Sequence, residues 1–262
     1  MPDKIKVLVI GDIIGNSGRQ VIKELLPRLI SQFQIDLCIA NGENVAGGFG
    51  ITEKLISDLL ERGVDILTSG NHIWDKKEII PSLDTIPSLL IPANYPPSVP
   101  GHRYAIKSYH GINVGIINLC GRIFMNTLDC PFRVADDMIA KLQSACRIII
   151  VDFHAEATSE KVALGWYLDG RASAVIGTHT HIQTADARIL PNGTAYLTDV
   201  GMTGAFESVI GIEKNIAIKR FLTQMPQKFP IAKRDLRLNA ALIDISLDTG
   251  HAEKISPLQI PV

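Results

Sequence analysis

The chain has 262 residues, 46% of them hydrophobic, and a formal charge of -1 from 26 basic and 27 acidic side chains. That length and apolar content allow a sizeable core, and one α/β domain spanning 1–262 is expected. So small a net charge excludes a global field for polyanions, so neither a stable nucleic-acid complex nor a membrane partner is expected, and an anionic substrate has to be held locally. No apolar run approaches the ~20 residues of a bilayer span. The four cysteines (Cys38, Cys120, Cys130, Cys146) show no C-x-x-C spacing, and the apolar start Val7–Ile10 is broken at once by Gly11-Asp12, unlike a signal peptide. These features point to a cytoplasmic protein with reduced thiols.

The chain opens with a Val/Ile-rich run at 5–10. Val21, Ile22, Leu25, Leu26 and Leu29 then recur at helical spacing before a second run at 36–41. Thr52, Leu55, Ile56, Leu59 and Leu60 repeat the pattern ahead of a third run at 64–69. Each run is apolar at successive positions, as in strands buried on both faces, so βαβ units with right-handed crossovers are expected. Five prolines between Ile86 and Pro100 predict a surface connection. Further runs lie at 112–119, 147–153 and 173–177, joined by spacers of less regular pattern. Residues 188–200, with a turn at Pro191-Asn192-Gly193, and 238–248 read as additional strands. The count suffices for two packed sheets flanked by helices. No internal repeat or low-complexity segment interrupts them.

Ligand sites of α/β sheets form where strands give way to loops, and the polar residues collect at those points. The first run ends in Gly11-Asp12, the second in Asn41-Gly42-Glu43-Asn44 and the third in Gly70-Asn71-His72. A later run ends in Asp152-Phe153-His154, and another in Gly177-Thr178-His179-Thr180-His181. Taken singly, Asp12 would be a turn or cap residue, Glu43-Asn44 a polar turn, and His154 a hydrogen-bonded core residue. The pair His179 and His181 is different, because residues i and i+2 of extended backbone face the same side. Five coincident strand ends therefore suggest convergence on one edge of one sheet. Asp12, Glu43, Asn44, Asn71, His154, His179 and His181 are more ligands than one cation needs. Their imidazole and oxygen donors suit two ions of iron or manganese, with zinc as an alternative. His72 adjoins Asn71, and adjacent residues rarely reach the same ion, so His72 is free to face a substrate as acid catalyst. Asp152 and Glu156 are candidates to orient a ligand imidazole from behind. No arginine is assigned to phosphate, and His102, His110 and His251 lie outside the constellation. The glycines of Gly11, Gly15 and Gly18 do not match a dinucleotide loop.

This order of motifs resembles the calcineurin-like metallophosphoesterases. Gly11-Asp-Ile-Ile-Gly15, Asn41-Gly-Glu-Asn-Val-Ala-Gly-Gly48, Gly70-Asn-His-Ile-Trp-Asp75, Asp152-Phe-His-Ala-Glu-Ala157 and Asp199-Val-Gly-Met-Thr-Gly204 are similar, more narrowly, to the bacterial YmdB-like branch. The resemblance covers almost the whole chain. It implies a four-layer sandwich, two mixed β-sheets with helices outside, and a homo-oligomer is common in the branch. It also implies hydrolysis of 2′,3′-cyclic nucleotides. Asp12, Glu43, Asn44 and His181 would hold one metal, and Glu43, Asn71, His154 and His179 the other. Two departures from the wider superfamily stand out: Ile14 occupies the place of a common histidine ligand, and Glu43 that of the bridging Asp. Asn44 would then fill the position Ile14 vacates.

Two divalent cations, two carboxylates and one hydroxide sum to about +1, enough to attract a phosphodiester anion. Hydroxide generated there at neutral pH would attack phosphorus, and His72 would protonate the departing oxygen. The alternatives are a phosphomonoesterase or nucleotidase of the same fold, and a regulator that binds metal and nucleotide without turnover.

Overall fold

The computed structural model describes residues 3–109 and 111–262, so His110 lies outside it. In chain order the elements are β1 (Lys4–Ile10), β2 (Asp12–Ile13), α1 (Gly15–Phe33), β3 (Leu37–Asn41), α2 (Glu53–Leu60) and β4 (Ile66–Thr68). A 3-10 segment, Lys77–Thr85, precedes β5 (Tyr104–Tyr109), β6 (Ile112–Cys120), α3 (Pro131–Leu142), β7 (Ile148–His154), α4 (Thr158–Tyr167) and β8 (Ala174–Thr178). The chain closes with β9 (Arg188–Ile189), β10 (Ala195–Leu197), β11 (Met202–Ala205), α5 (Lys214–Thr223), β12 (Leu236–Ser246) and β13 (Ala252–Pro261).

Two mixed sheets result. The first runs β2-β11-β12-β1-β3-β4, with β13 also on β12, and the second runs β5-β6-β7-β8-β10-β9. Strands β1, β3 and β4 are mutually parallel, as are β6, β7 and β8. Parity decides which layer each side chain joins. Leu8 and Ile10 of β1 pack on Val21, Ile22, Leu25 and Leu26 of α1. Val7 and Val9, from the same strand, meet Ile116, Ile150 and Ile176 of the other sheet. On that sheet's outer face Leu119, Val151 and Phe153 pack against Ile139 of α3 and Leu164 of α4. Helices, sheet, sheet and helices thus form four layers, and the continuous apolar runs are explained by burial of both strand faces.

All six apolar runs named from the sequence become strands, and both proposed βαβ units are present. The proline-rich stretch from Ile86 to Pro100 is not simply a surface connection. Leu89, Leu90 and Ile91 are fully buried, and Leu89 bridges Leu67 while Leu90 bridges His102. Three apolar residues in succession between prolines found partners at the edge of β4, which outweighs the tendency of prolines to mark exposed turns. All four cysteines are free thiols. No helix of the described residues is long and apolar enough to cross a membrane.

Candidate metal centre

The parallel strands of both sheets deliver their carboxyl ends to one end of the sandwich. Asp12 lies on β2, Glu43 and Asn44 follow β3, and Asn71 and His72 follow β4. His154 ends β7, and His179 and His181 follow β8. The expected convergence on one edge of one sheet is therefore corrected: the residues come from both sheets. The reason is the stacking of two parallel units with their strand ends side by side.

At the centre Glu43 Oε1 is 3.0 Å from His154 Nε2 and accepts from Asn44 Nδ2 at 3.1 Å. Asn71 Oδ1 lies 3.1 Å from His154 Nε2, and His179 Nδ1 lies 3.0 Å from the same nitrogen. Donor atoms of Glu43, His154 and His179 all fall within 4.8 Å of one another. Beside them His181 Nε2 stands 3.9 Å from Asp12 Oδ1 and 3.3 Å from Asn44 Nδ2. A half-turn of the Asn44 amide exchanges its nitrogen for the oxygen that a cation requires. All seven expected ligands are thus together, and Gly70 permits it: a methyl group there would overlap both the His154 ring and the Glu43 carboxylate.

Each imidazole is anchored at its far nitrogen. Thr178 Oγ1 donates to Asp152 at 2.8 Å, so at 3.0 Å it accepts from His154 Nδ1. His181 Nδ1 donates to the Ile210 carbonyl at 3.0 Å, and His179 Nε2 to Glu156 at 3.1 Å. Because carbonyls and carboxylates only accept, the three near nitrogens are left facing the centre with a lone pair or an exchangeable proton. The extended-backbone reason given for His179 and His181 is corrected. Strand β8 ends at Thr178, and the two histidines have φ of 94° and 65°. Their side chains converge because the loop is clamped. His179 N donates to Asp12 Oδ2 at 3.2 Å and Thr180 N to Asp199 at 3.0 Å, while Met202 N donates to the His181 carbonyl at 3.0 Å.

The charge states follow from burial and neighbours. Burial lowers His154, but Glu43, Asp12 and Asp152 overcome it and raise it to about 9. Burial raises Glu43, but the His154 charge and hydrogen bond hold it at about 2. His179 falls to about 3, from burial and from repulsion by His154. Asp12 is raised chiefly by burial, and its Oδ1 has no hydrogen-bond partner. A buried carboxylate oxygen left unpaired is costly, so its place 3.9 Å from ring nitrogens of both His154 and His181 fits a cation nearby. The donor chemistry, oxygen with imidazole, fits a transition metal.

His72 lies beside the cluster and lines the cleft. Its amide donates to Glu43 Oε2 at 3.1 Å, its Nδ1 pairs with Asp75 Oδ2 at 2.9 Å, and its ring packs edge-on against Phe49. Asp75 was missed in the sequence, although its place three residues after His72 was the available signal. Thr178, Lys161 and the Ile210 carbonyl were missed as well. A cleft of about 340 Å³ opens at the cluster, and its lining includes Glu43, Asn44, His72, His179 and His181. Among the described residues, no arginine or lysine lines it, so cations would have to meet the phosphate charge.

The two-sheet sandwich with this cluster at its strand ends defines a protein of the calcineurin-like metallophosphoesterase fold. A Haemophilus influenzae NAD nucleotidase shares the fold at a TM-score of 0.62 and 14% identity, over 98% of this chain and 56% of that one. The model of the YmdB-like protein family matches residues 8–258, and the chain belongs to that family. It is 48% identical to the 2′,3′-cyclic-nucleotide 2′-phosphodiesterase of Bacillus subtilis, over 98% of this chain and 97% of that protein. A solved structure described as a novel phosphatase from Mycoplasma pneumoniae superposes with a TM-score of 0.93 at 35% identity, covering 100% of this chain and 95% of that one.

Proposed function

We propose that this chain is a metal-dependent phosphodiesterase that opens 2′,3′-cyclic nucleotides. Asp12, Glu43, Asn44 and His181 would hold one cation, and Glu43, Asn71, His154 and His179 a second. Iron and manganese suit this mixed set best, with zinc the alternative. Bound there, the cations supply Lewis acidity toward a phosphoryl oxygen and a hydroxide nucleophile at neutral pH. Glu43 belongs to both sets, and its carboxylate is ionised before any cation arrives, because protonated His154 holds it at about 2 in the metal-free centre. His72, steadied by Asp75 through Nδ1 and lining the cleft, would deliver a proton from its other ring nitrogen to the departing ribose oxygen. The observation that carries this reading is the gathering of three imidazoles, each anchored through its other nitrogen, with the carboxylates of Glu43 and Asp12.

The test is a substrate panel after reconstitution with manganese, iron or zinc: 2′,3′-cyclic nucleotides, nucleoside monophosphates and an aryl phosphodiester. The cyclic nucleotides are expected to have the highest kcat/KM. Preference for the monophosphates would replace this reading with a phosphomonoesterase, and tight binding without turnover would make it a regulator. His72→Ala should keep its metals and lose about 10² to 10⁴-fold on the cyclic substrate, but much less on the aryl diester, whose phenolate leaves unassisted. Equal losses on both would remove His72 from the acid role.

A further inference from the structure

We propose that the apolar half of the cleft is a nucleobase seat that holds the base by stacking and packing, without reading its hydrogen-bonding edge. The inference rests on the cyclic-nucleotide reading above and says how such a substrate is gripped. One side of the cleft carries the ligand and acid residues, while Ile14, Phe49, Ile210, Ile212, Phe229 and Ile231 make the other. None of those six side chains has a nitrogen or oxygen atom. The remaining polar groups of the lining are engaged elsewhere: Glu156 with His179, and the Thr180 hydroxyl with Asp199.

This wall is built into the metal centre. The loop whose Ile210 carbonyl fixes His181 also presents the Ile210 side chain to the cleft. Ile210 has φ of 47°, a conformation that is a genuine outlier for a β-branched residue. Ile212 forms a backbone bridge with Ile231. Ile231 is packed in turn against Gly48, where an added methyl would come within 2.8 Å of it, on the loop that carries Glu43 and Asn44. Phe49 and Phe229 are each 38% exposed and Ile210 is 47% exposed. Large apolar surface is thus left open to water beside the reacting centre, where an aromatic ligand would cover it. A phosphate held at the ligand side places an attached base on this wall, whose six side chains offer no donor or acceptor, which leaves stacking and packing as the means by which they recognise it.

The experiment compares kcat/KM for 2′,3′-cyclic AMP, GMP, CMP and UMP with that for ribose 2′,3′-cyclic phosphate, which has no base. It is made on metal-reconstituted parent, Phe229→Ala and Phe229→Trp, with metal content and competitive binding of adenosine measured in parallel. The parent should favour the nucleotides over the baseless compound by about tenfold or more, the scale of one stacked base. The four bases should agree within about tenfold. Phe229→Ala should lose most of that advantage and bind adenosine more weakly at unchanged metal content, and Phe229→Trp should restore it. Equal rates on nucleotides and baseless compound by the parent would overturn the seat. So would an unchanged advantage in Phe229→Ala, or discrimination among bases on the 10⁴-fold scale of an edge-reading site. No turnover of any cyclic compound, with adenosine still bound at a Phe229-dependent site, would sink the cyclic-nucleotide reading and leave the seat standing.

Discussion

At His154 the competition between burial and surrounding carboxylates decides what occupies the centre when cations are stripped away. Burial opposes a charged imidazole, yet Glu43, Asp12 and Asp152 raise His154 to about 9, so the proton stands where a cation would. The folded value lies above the ~6.5 of an unfolded histidine. This protonation therefore favours the folded state fully below pH 6.5, and the benefit is lost as pH rises through about 9. A metal must displace the same proton. The apparent metal affinity should accordingly rise about tenfold per pH unit between 6.5 and 9, and calorimetry in buffers of different ionisation enthalpy should detect at least one proton released. Glu43, held at about 2, does not compete in that range. Affinity independent of pH from 6.5 to 9 would mean that His154 does not meet the metal.

Among the elements, α4 acts on the centre through one buried lysine. Lys161 is 1% exposed. It donates to Asp199 at 2.7 Å and to the Thr180 hydroxyl at 3.3 Å. Asp199 also accepts from the Thr180 amide and from Gly201 N, so the ion pair ties the loop bearing His179 and His181 to the start of β11. Lys161→Met leaves the Asp199 charge buried without its partner, which should cost about 3 to 5 kcal/mol. The loosened histidines should lower metal affinity about 10 to 100-fold. Denaturant melts and metal titration of the folded variant check the two effects; full metal affinity would confine Lys161 to packing. The same helix shows what could be read in advance. Strands buried on both faces declared themselves as apolar runs, and ligands were legible because they punctuate those runs. Lys161 looks like any solvated helical lysine, and a backbone carbonyl such as that of Ile210 leaves no trace in residue type. Strands β5 and β13 were illegible for another reason: much of each is exposed, so neither has an uninterrupted apolar pattern. Asp75 was legible by spacing alone, three residues after His72.

Across the whole molecule, the centre joins two sheets that also meet through an apolar layer containing Val7, Val9, Ile116 and Ile150. That arrangement was hidden in the sequence, since spacing along a chain does not say which strand ends meet across layers. It makes metal binding a measure of folding, because residues from both sheets are brought together only in the folded state. A ligand that binds only the folded state stabilises it by about 1.4 kcal/mol for each tenfold rise in concentration above Kd. One cation per chain should therefore give about 1.4 kcal/mol per decade, and two should give about 2.8 once both sites are filled. For a chain of this length each kcal/mol moves Tm by roughly 2 to 4 °C, so the expected gain is about 6 to 11 °C per decade of free manganese. Chelation should reverse it. Thermal melts over three decades of buffered free metal, with elemental analysis of the saturated protein, distinguish the cases. A one-ion slope with a stoichiometry that stays at one would refute the second site. In that event Asn44 and His181, whose atoms lie on the side of Asp12, would be reassigned first.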